Sequence, residues 1–231
     1  MNDFSLKLTG KQLLKQLAQL PSQQLFESIY QQQLWGSQDD SRFYSGDGSH
    51  DPALSLPYIR KVKKIILGFD SLPVIVDLGC GDFHIGSQLL DVCAHYHACD
   101  IASNVIEHNQ TLYQHSKLTF HQLDACQKHP PTGDLLIIRQ VLQHLSNDNI
   151  LKILRWLDDY PYILVTEHIP EGPFSANKDK ANGPDSRLRF NSGVDLQQPP
   201  FNLSNKSMQI IDSIKDKGTF GGLIRTWLFK N

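Results

Sequence analysis

The run Val74-Ile75-Val76-Asp77-Leu78 passes directly into Gly79-Cys80-Gly81-Asp82, an apolar β-rich stretch that stops at two glycines with one residue between them. β-Branched residues preceded by Pro73 favour a short strand over a helix. A strand this apolar is buried on both faces, as in parallel sheets covered by helices. Gly79 and Gly81 leave the following backbone open to a ligand. The next glycine is Gly86, five residues beyond Gly81, whereas the dinucleotide pattern G-x-G-x-x-G needs one at the position held by His84, which disfavours a nicotinamide-dependent oxidoreductase.

The rest of the chain alternates in the same way. Apolar residues at helical spacing over 9–33, interrupted at Pro21, predict two short amphipathic helices whose glutamine-rich faces meet solvent. A loop rich in glycine, serine and aspartate runs from Trp35 to Ser49, and a helix is expected over 54–67. Strands are expected near 73–78, 95–99, 118–122, 134–139 and 161–166, with helices near 84–93, 102–115 and 147–158. Residues 170–200 lose all periodicity and gather proline, glycine and asparagine, which predicts a functional flap. Met208–Ile214 and Gly222–Phe229 are expected to pair antiparallel.

The D-x-G-x-G pattern of Asp77, Gly79 and Gly81 after the first strand resembles the first motif of class I S-adenosylmethionine (SAM)-dependent methyltransferases, and the resemblance covers about residues 70–231. It implies an α/β fold: a doubly wound, mostly parallel seven-stranded sheet with an antiparallel final hairpin. Residues 1–69 would then be an N-terminal helical extension with a cofactor-covering loop, and 70–231 the SAM-binding domain. The implied cofactor contacts are Asp77, Gly79, Cys80, Gly81 and Asp82 in the first loop, and Asp100 with Ile101 after the second strand. Asp124 and Ala125 follow the third strand, Arg139 and Gln140 the fourth. Trp35, Gly36, Ser45 and Gly46 would close over the cofactor. Asp100 stands where an acid accepts from ribose hydroxyls, the reading that the preceding glycine loop favours over the alternative of a cap for the next helix. Phe83 replaces the family's common third glycine, which suggests an aromatic wall beside the cofactor or a tighter subfamily.

His144, beyond the fourth strand, is the candidate general base with a pKa near neutral, and Arg139 a second catalytic candidate that would steer an anion or pair with a carboxylate. Arg187, Arg189 and Asn191 in the flap are the expected acceptor contacts. The transfer itself needs alignment and, for a hydroxyl, proton removal, but no metal. His95 and His97 share a strand face without an accompanying metal motif.

Lys and Arg number 22 against 24 Asp and Glu, a formal net charge of −2, so the total shows no footprint for a nucleic-acid backbone, and a small-molecule or glycan oxygen is the expected acceptor. Cys80, Cys93, Cys99 and Cys126 form no C-x-x-C pair and read as reduced thiols. No stretch approaches the roughly 18 apolar residues of a membrane span, so a cytoplasmic protein is expected. A non-catalytic SAM-binding protein acting through a protein partner, and a nucleic-acid methyltransferase, stand as alternatives.

Overall fold

In the computed structural model, which describes residues 10–37, 43–203, 207–218 and 221–231, the extended backbone of Pro21 separates α1 (Gly10–Leu17) from α2 (Ser22–Gln31). Residue 9 of the first expected helix and residues 38–42 of the expected loop lie outside the described residues. The rest of that loop contains one helical turn, α3 (Asp47–His50). The next helix, α4 (Pro52–Ile66), starts earlier than its apolar spacing suggests. Asp51 caps it by accepting from the Ala53 amide at 2.8 Å, and Pro52 sits in the first turn, where a donor is not missed.

Strands β1 (Val74–Leu78), β2 (His95–Asp100), β3 (Leu118–Gln122), β4 (Leu135–Arg139) and β5 (Tyr162–Ile169) follow, with α5 (Ser103–Leu112) and α6 (Asn147–Leu154) between them. Beyond them come a two-residue pair, β6 (Ser175–Ala176) and β7 (Ser192–Gly193), and then β8 (Ser207–Lys215) and β9 (Leu223–Lys230). The main sheet has the order β3-β2-β1-β4-β5-β9-β8. β1 to β5 are mutually parallel, while β9 runs antiparallel between β5 and β8. The order reverses between β1 and β4, and in open α/β sheets that reversal opens a crevice beyond the carboxyl ends of the strands.

Both sheet faces are covered. Val76, Ile138 and Val165 pack with Leu17, Leu25 and Ile29 of the N-terminal helices, and Ile75, Ala98 and Leu164 pack with Ile59, Val62 and Ile66 of α4. Each such side chain, when fully buried, contributes about 1.5–3 kcal/mol relative to exposure, so α1 and α2 are docked on the sheet by the same core that holds it together.

Two expectations are corrected here. The segment 84–93 is a 3-10 run, Gly86–Val92, rather than an α-helix. Phe83 adopts φ +61 and drives its ring into the core against Tyr96, Tyr113 and Phe120, so it is no wall beside a cofactor. The turn lies down on that ring, and a Cβ at Gly86 would come within 2.7 Å of Phe83 Cδ2.

The segment expected as a functional flap, 170–200, is fastened as a strap in this structure. Asn177 donates to the Asp195 and Pro199 carbonyls at 2.7 and 2.9 Å and accepts from the Asp195 amide at 2.8 Å. Arg187 has no exposed surface. Its guanidinium donates to the carbonyls of Lys178 (3.0 Å), Leu142 (3.0 Å), Gln143 (3.2 Å) and Leu145 (2.7 Å) and to Asn147 Oδ1 (3.0 Å). The strap is thereby tied to the turn that follows β4.

Candidate active site

A cavity of about 270 Å³ opens at the carboxyl ends of β1, β2 and β4. Asp77, Gly79, Cys80, Gly81 and Asp82 form its floor, as expected from the first loop. The glycines are required for a reason the sequence did not reveal. Gly79 and Gly81 have φ +78 and +55, and a Cβ at Gly79 would overlap Val141 Cγ2, while one at Gly81 would overlap Ser45 Oγ and lie 2.9 Å from the Tyr30 hydroxyl. Protein packing, rather than ligand approach, excludes a side chain.

Asp100 and Ile101 line the same cavity at the end of β2. Asp100 accepts from the Gly81 amide at 3.0 Å and from the Ala102 amide at 2.9 Å, so it braces the glycine loop. Asp100 is not the N-cap of α5: Ala102 holds that position, and Glu27 of α2 reaches the helix start by accepting from the Ser103 amide at 3.2 Å. A carboxylate has about four acceptor sites, and these two bonds leave capacity for a ligand. Burial raises its pKa, opposed by those amides. Asp124 and Ala125 line the far end, with Asp124 fixed by the Cys126 amide at 2.9 Å.

The covering segment is clasped to the floor through Asp82. Its carboxylate accepts from the Ser45 amide at 2.8 Å and contacts His50 Nε2 at 2.6 Å, while its own amide donates to Ser45 Oγ at 2.9 Å. Burial alone would raise the Asp82 pKa, but His50 and the Ser45 and His84 amides hold it below the usual range. Trp35, Ser45 and Gly46 line the cavity; Gly36 does not, because it turns against the Tyr44 ring.

Arg139 and Gln140 line the cavity from β4. Arg139 stacks on the Tyr58 ring at 4.7 Å and donates to Ser49 Oγ (3.1 Å) and the Gly48 carbonyl (2.5 Å); its Nε is buried without a partner. Beside it, burial pushes the Asp77 carboxyl up to about 7, with Tyr96 and Arg139 pulling the other way. Asp77, Asp82, Asp100 and Asp124 supply the acids of the lining, and Arg139 is its one lysine or arginine among the described residues. Sequence reasoning missed Tyr30 and Tyr58, which also line the cavity. The signal available was a hydroxyl recurring on the apolar stripes of α2 and α4.

His144 also lines the cavity, but not as a near-neutral base. Burial, with Lys180 nearby, drives its pKa down to about 3. The amide oxygen of Gln143 accepts from the His168 amide at 3.3 Å, which turns the Gln143 NH2 toward His144 Nε2 at 3.2 Å. Nε2 is therefore an acceptor and the proton sits on Nδ1, which is buried without a hydrogen bond near the Gly183 and Pro184 carbonyls. Neither nitrogen presents a free lone pair to the cavity. The ring instead packs 4.9 Å from Trp35, whose Nε1 donates to the Pro184 carbonyl at 3.0 Å.

This has a measurable consequence. An unfolded histidine takes its proton near 6.5, folded His144 only near 3, so the stability it supports is complete above 6.5 and is lost as the pH falls toward 3. Replacing His144 with Leu should flatten the decline of Tm on acidification from pH 6.5. A slope unchanged from wild type would mean that protons reach this ring in the folded state.

The three expected acceptor contacts do not reach this cavity. Arg187 is consumed by carbonyls. Arg189 pairs with Asp185 and lines a separate cavity, and Asn191 sits in the left-handed region at φ +46, with its amide on the Pro173 carbonyl at 3.4 Å. His97 Nδ1 and His121 Nε2 are 3.0 Å apart, and no group of side chains suited to hold a metal occurs among the described residues. Among them, too, no helix is long and apolar enough to cross a membrane.

Comparison with known proteins agrees with this geometry. Residues 76–160, from β1 to the start of β5, match the methyltransferase domain family. The N-methyltransferase NodS from Bradyrhizobium japonicum WM9, solved with S-adenosyl-L-homocysteine, superposes with a TM-score of 0.61 at 13% identity, covering 88% of this chain and 98% of NodS. Magnesium protoporphyrin IX methyltransferase from Synechocystis PCC 6803, solved with bound SAM, gives 0.55 at 14% identity over 92% and 98% of the two chains. No curated protein sequence matches the chain. At these identities the solved structures speak for the fold: residues 76–160 match a methyltransferase domain, and the strand order around them is shared with solved methyltransferases.

Proposed function

We propose that the protein transfers a methyl group from SAM to a small-molecule acceptor. The observation that carries the reading is the charge pattern of the cavity: four carboxylates and a single guanidinium, at the switch point of the sheet. SAM has two cationic groups, a ribose and one carboxylate, and it supplies an electrophilic sulfonium methyl. Asp100 is placed to accept from the ribose hydroxyls, and Asp124 with the Ala125 backbone to meet the adenine edge. Asp77 would receive the ammonium group, and Arg139, with its unpaired Nε, the carboxylate.

The protein's contribution to transfer is alignment. The Asp82–Ser45 clasp holds the covering segment over the glycine loop, and Trp35 and His144 wall the side away from the floor. With no free lone pair, His144 shapes the site rather than taking a proton. An acceptor whose nucleophile is already deprotonated, or loses its proton to solvent, fits this arrangement.

Calorimetry separates the roles. Wild-type protein is expected to bind S-adenosylhomocysteine and not NAD. Arg139→Met should weaken S-adenosylhomocysteine by about 1.5–3 kcal/mol, or roughly 10- to 150-fold, the range for hydrogen bonds to a charged group. Affinity for 5′-methylthioadenosine, which lacks the amino-acid end, should be unchanged. Equal losses for both ligands would show that Arg139 only supports the fold; binding of neither by wild type would reject the cofactor.

A further inference from the structure

One wall of the cofactor cavity is aromatic. Phe26 and Tyr30 reach it from α2, Trp35 from the turn beyond that helix, and His144 from the turn after β4. The rings are inclined to one another. Tyr30 stands at 88° to Trp35 with centroids 5.0 Å apart, Phe26 at 36° and 6.4 Å, and His144 at 46° and 4.9 Å. Inclined rings leave faces open that a parallel stack would cover. Their polar atoms are engaged elsewhere: the Tyr30 hydroxyl is bonded with Ser45 Oγ at 3.2 Å, and Trp35 Nε1 donates to the Pro184 carbonyl. What this wall offers a ligand is π surface, and it belongs to the same cavity as the glycine loop and Asp100, with no partition between them.

Charge decides what such a wall can face. Four carboxylates line the cavity against Arg139, its one lysine or arginine among the described residues. His144 stays uncharged because burial, with Lys180 nearby, holds its pKa at about 3. Lys180 and Arg187 do not line the cavity; they donate to main-chain carbonyls of the turn after β4. An anion would meet carboxylates and the negative faces of the rings, whereas a cation is attracted by both.

We infer that the methyl acceptor is an amine, held against Phe26, Tyr30 and Trp35 within the cofactor cavity. The inference rests on the methyltransferase reading above and gives it a substrate class. In its uncharged form the amine nitrogen directs its lone pair at the methyl carbon. The N–C bond forms as the C–S bond breaks, the C–S electron pair stays on sulfur, and the positive charge passes from sulfonium to ammonium. A tertiary amine has no proton to lose, and a primary or secondary amine releases its proton to solvent after the transfer. The step therefore runs without the base that His144 does not supply, which an oxygen acceptor of the kind expected from the sequence would need. The new ammonium is left against the rings, beside a sulfur that has become uncharged.

Calorimetry on the full chain saturated with S-adenosylhomocysteine tests this with two probes of the same shape: choline, a quaternary cation, and 3,3-dimethylbutan-1-ol, in which carbon replaces the nitrogen. Choline is expected to bind at least about tenfold more tightly than the alcohol. Phe26→Leu and Trp35→Leu, which remove a ring and keep apolar bulk, should each bring that preference below about threefold, with S-adenosylhomocysteine kept saturating in every titration. Equal affinity for the two probes in the wild type, or no binding of choline, would overturn the amine. A preference that survives both substitutions would put the cation elsewhere and overturn the aromatic wall. Wild-type protein that binds choline but not S-adenosylhomocysteine would remove the acceptor role, and that failure belongs to the methyltransferase reading.

Discussion

Gly81→Val should abolish measurable binding of S-adenosylhomocysteine while leaving a folded protein. At φ +55 a β-branched residue is strained by about 1–3 kcal/mol, and its Cβ alone would displace Ser45 Oγ and crowd the Tyr30 hydroxyl. Ser45 accepts from the Asp82 amide, and Gly81 itself donates to Asp100, so one added side chain loosens both the clasp of the covering segment and the brace to Asp100. Losing two such bonds to charged or buried groups is worth about 3 kcal/mol or more, at least a hundredfold in affinity. Titration of the variant, with circular dichroism as the control for folding, decides the matter. Wild-type affinity in a folded Gly81→Val protein would contradict the packing argument and the cofactor site together.

Arg187→Met should cost about 3–5 kcal/mol of stability, the range for breaking a buried ionic cluster. The methionine matches the length of the side chain but leaves four carbonyls and the Asn147 amide oxygen without their donor, and takes the Arg187 charge away from Glu167, which is fully buried and has its pKa raised to about 7 by burial. Denaturant unfolding would read the loss, and proteolysis should cut first within 170–200 as the strap comes away. A loss below about 1 kcal/mol would mean that the strap is held elsewhere, with the Asn177 bonds as the alternative anchor.

Most of the sheet was legible because parallel strands declare themselves twice, by unbroken apolar runs such as Leu135–Ile138 and by polar residues such as Asp100 at their carboxyl ends. The order of the ligand loops followed from that topology. Position at the cavity was legible for residues at strand ends, such as Asp77 and Arg139, which both line it. Where the role depends on partners distant in sequence, it was hidden. His144 carries the chemistry of a base in any sequence, and only burial with Gln143 and Lys180 beside it removes that capacity. Arg187 reads as a surface cation until four carbonyls from two segments surround it. The strap itself looked mobile because its order comes from main-chain bonds to Asn177 and Arg187 rather than from any apolar period. Phe83 was read as a departure from a glycine motif, whereas its ring belongs to the core beneath.

The way Arg187 is held has a consequence for how this protein could change over generations. Its partners are nearly all peptide oxygens, of Lys178, Leu142, Gln143 and Leu145, and every amino acid carries one. The turn after β4 can therefore exchange its side chains, and with them the lining of the cavity, while the strap keeps its seat. One tether with interchangeable surroundings lets the walls of the cavity change by substitution alone, without rebuilding the loop that carries them.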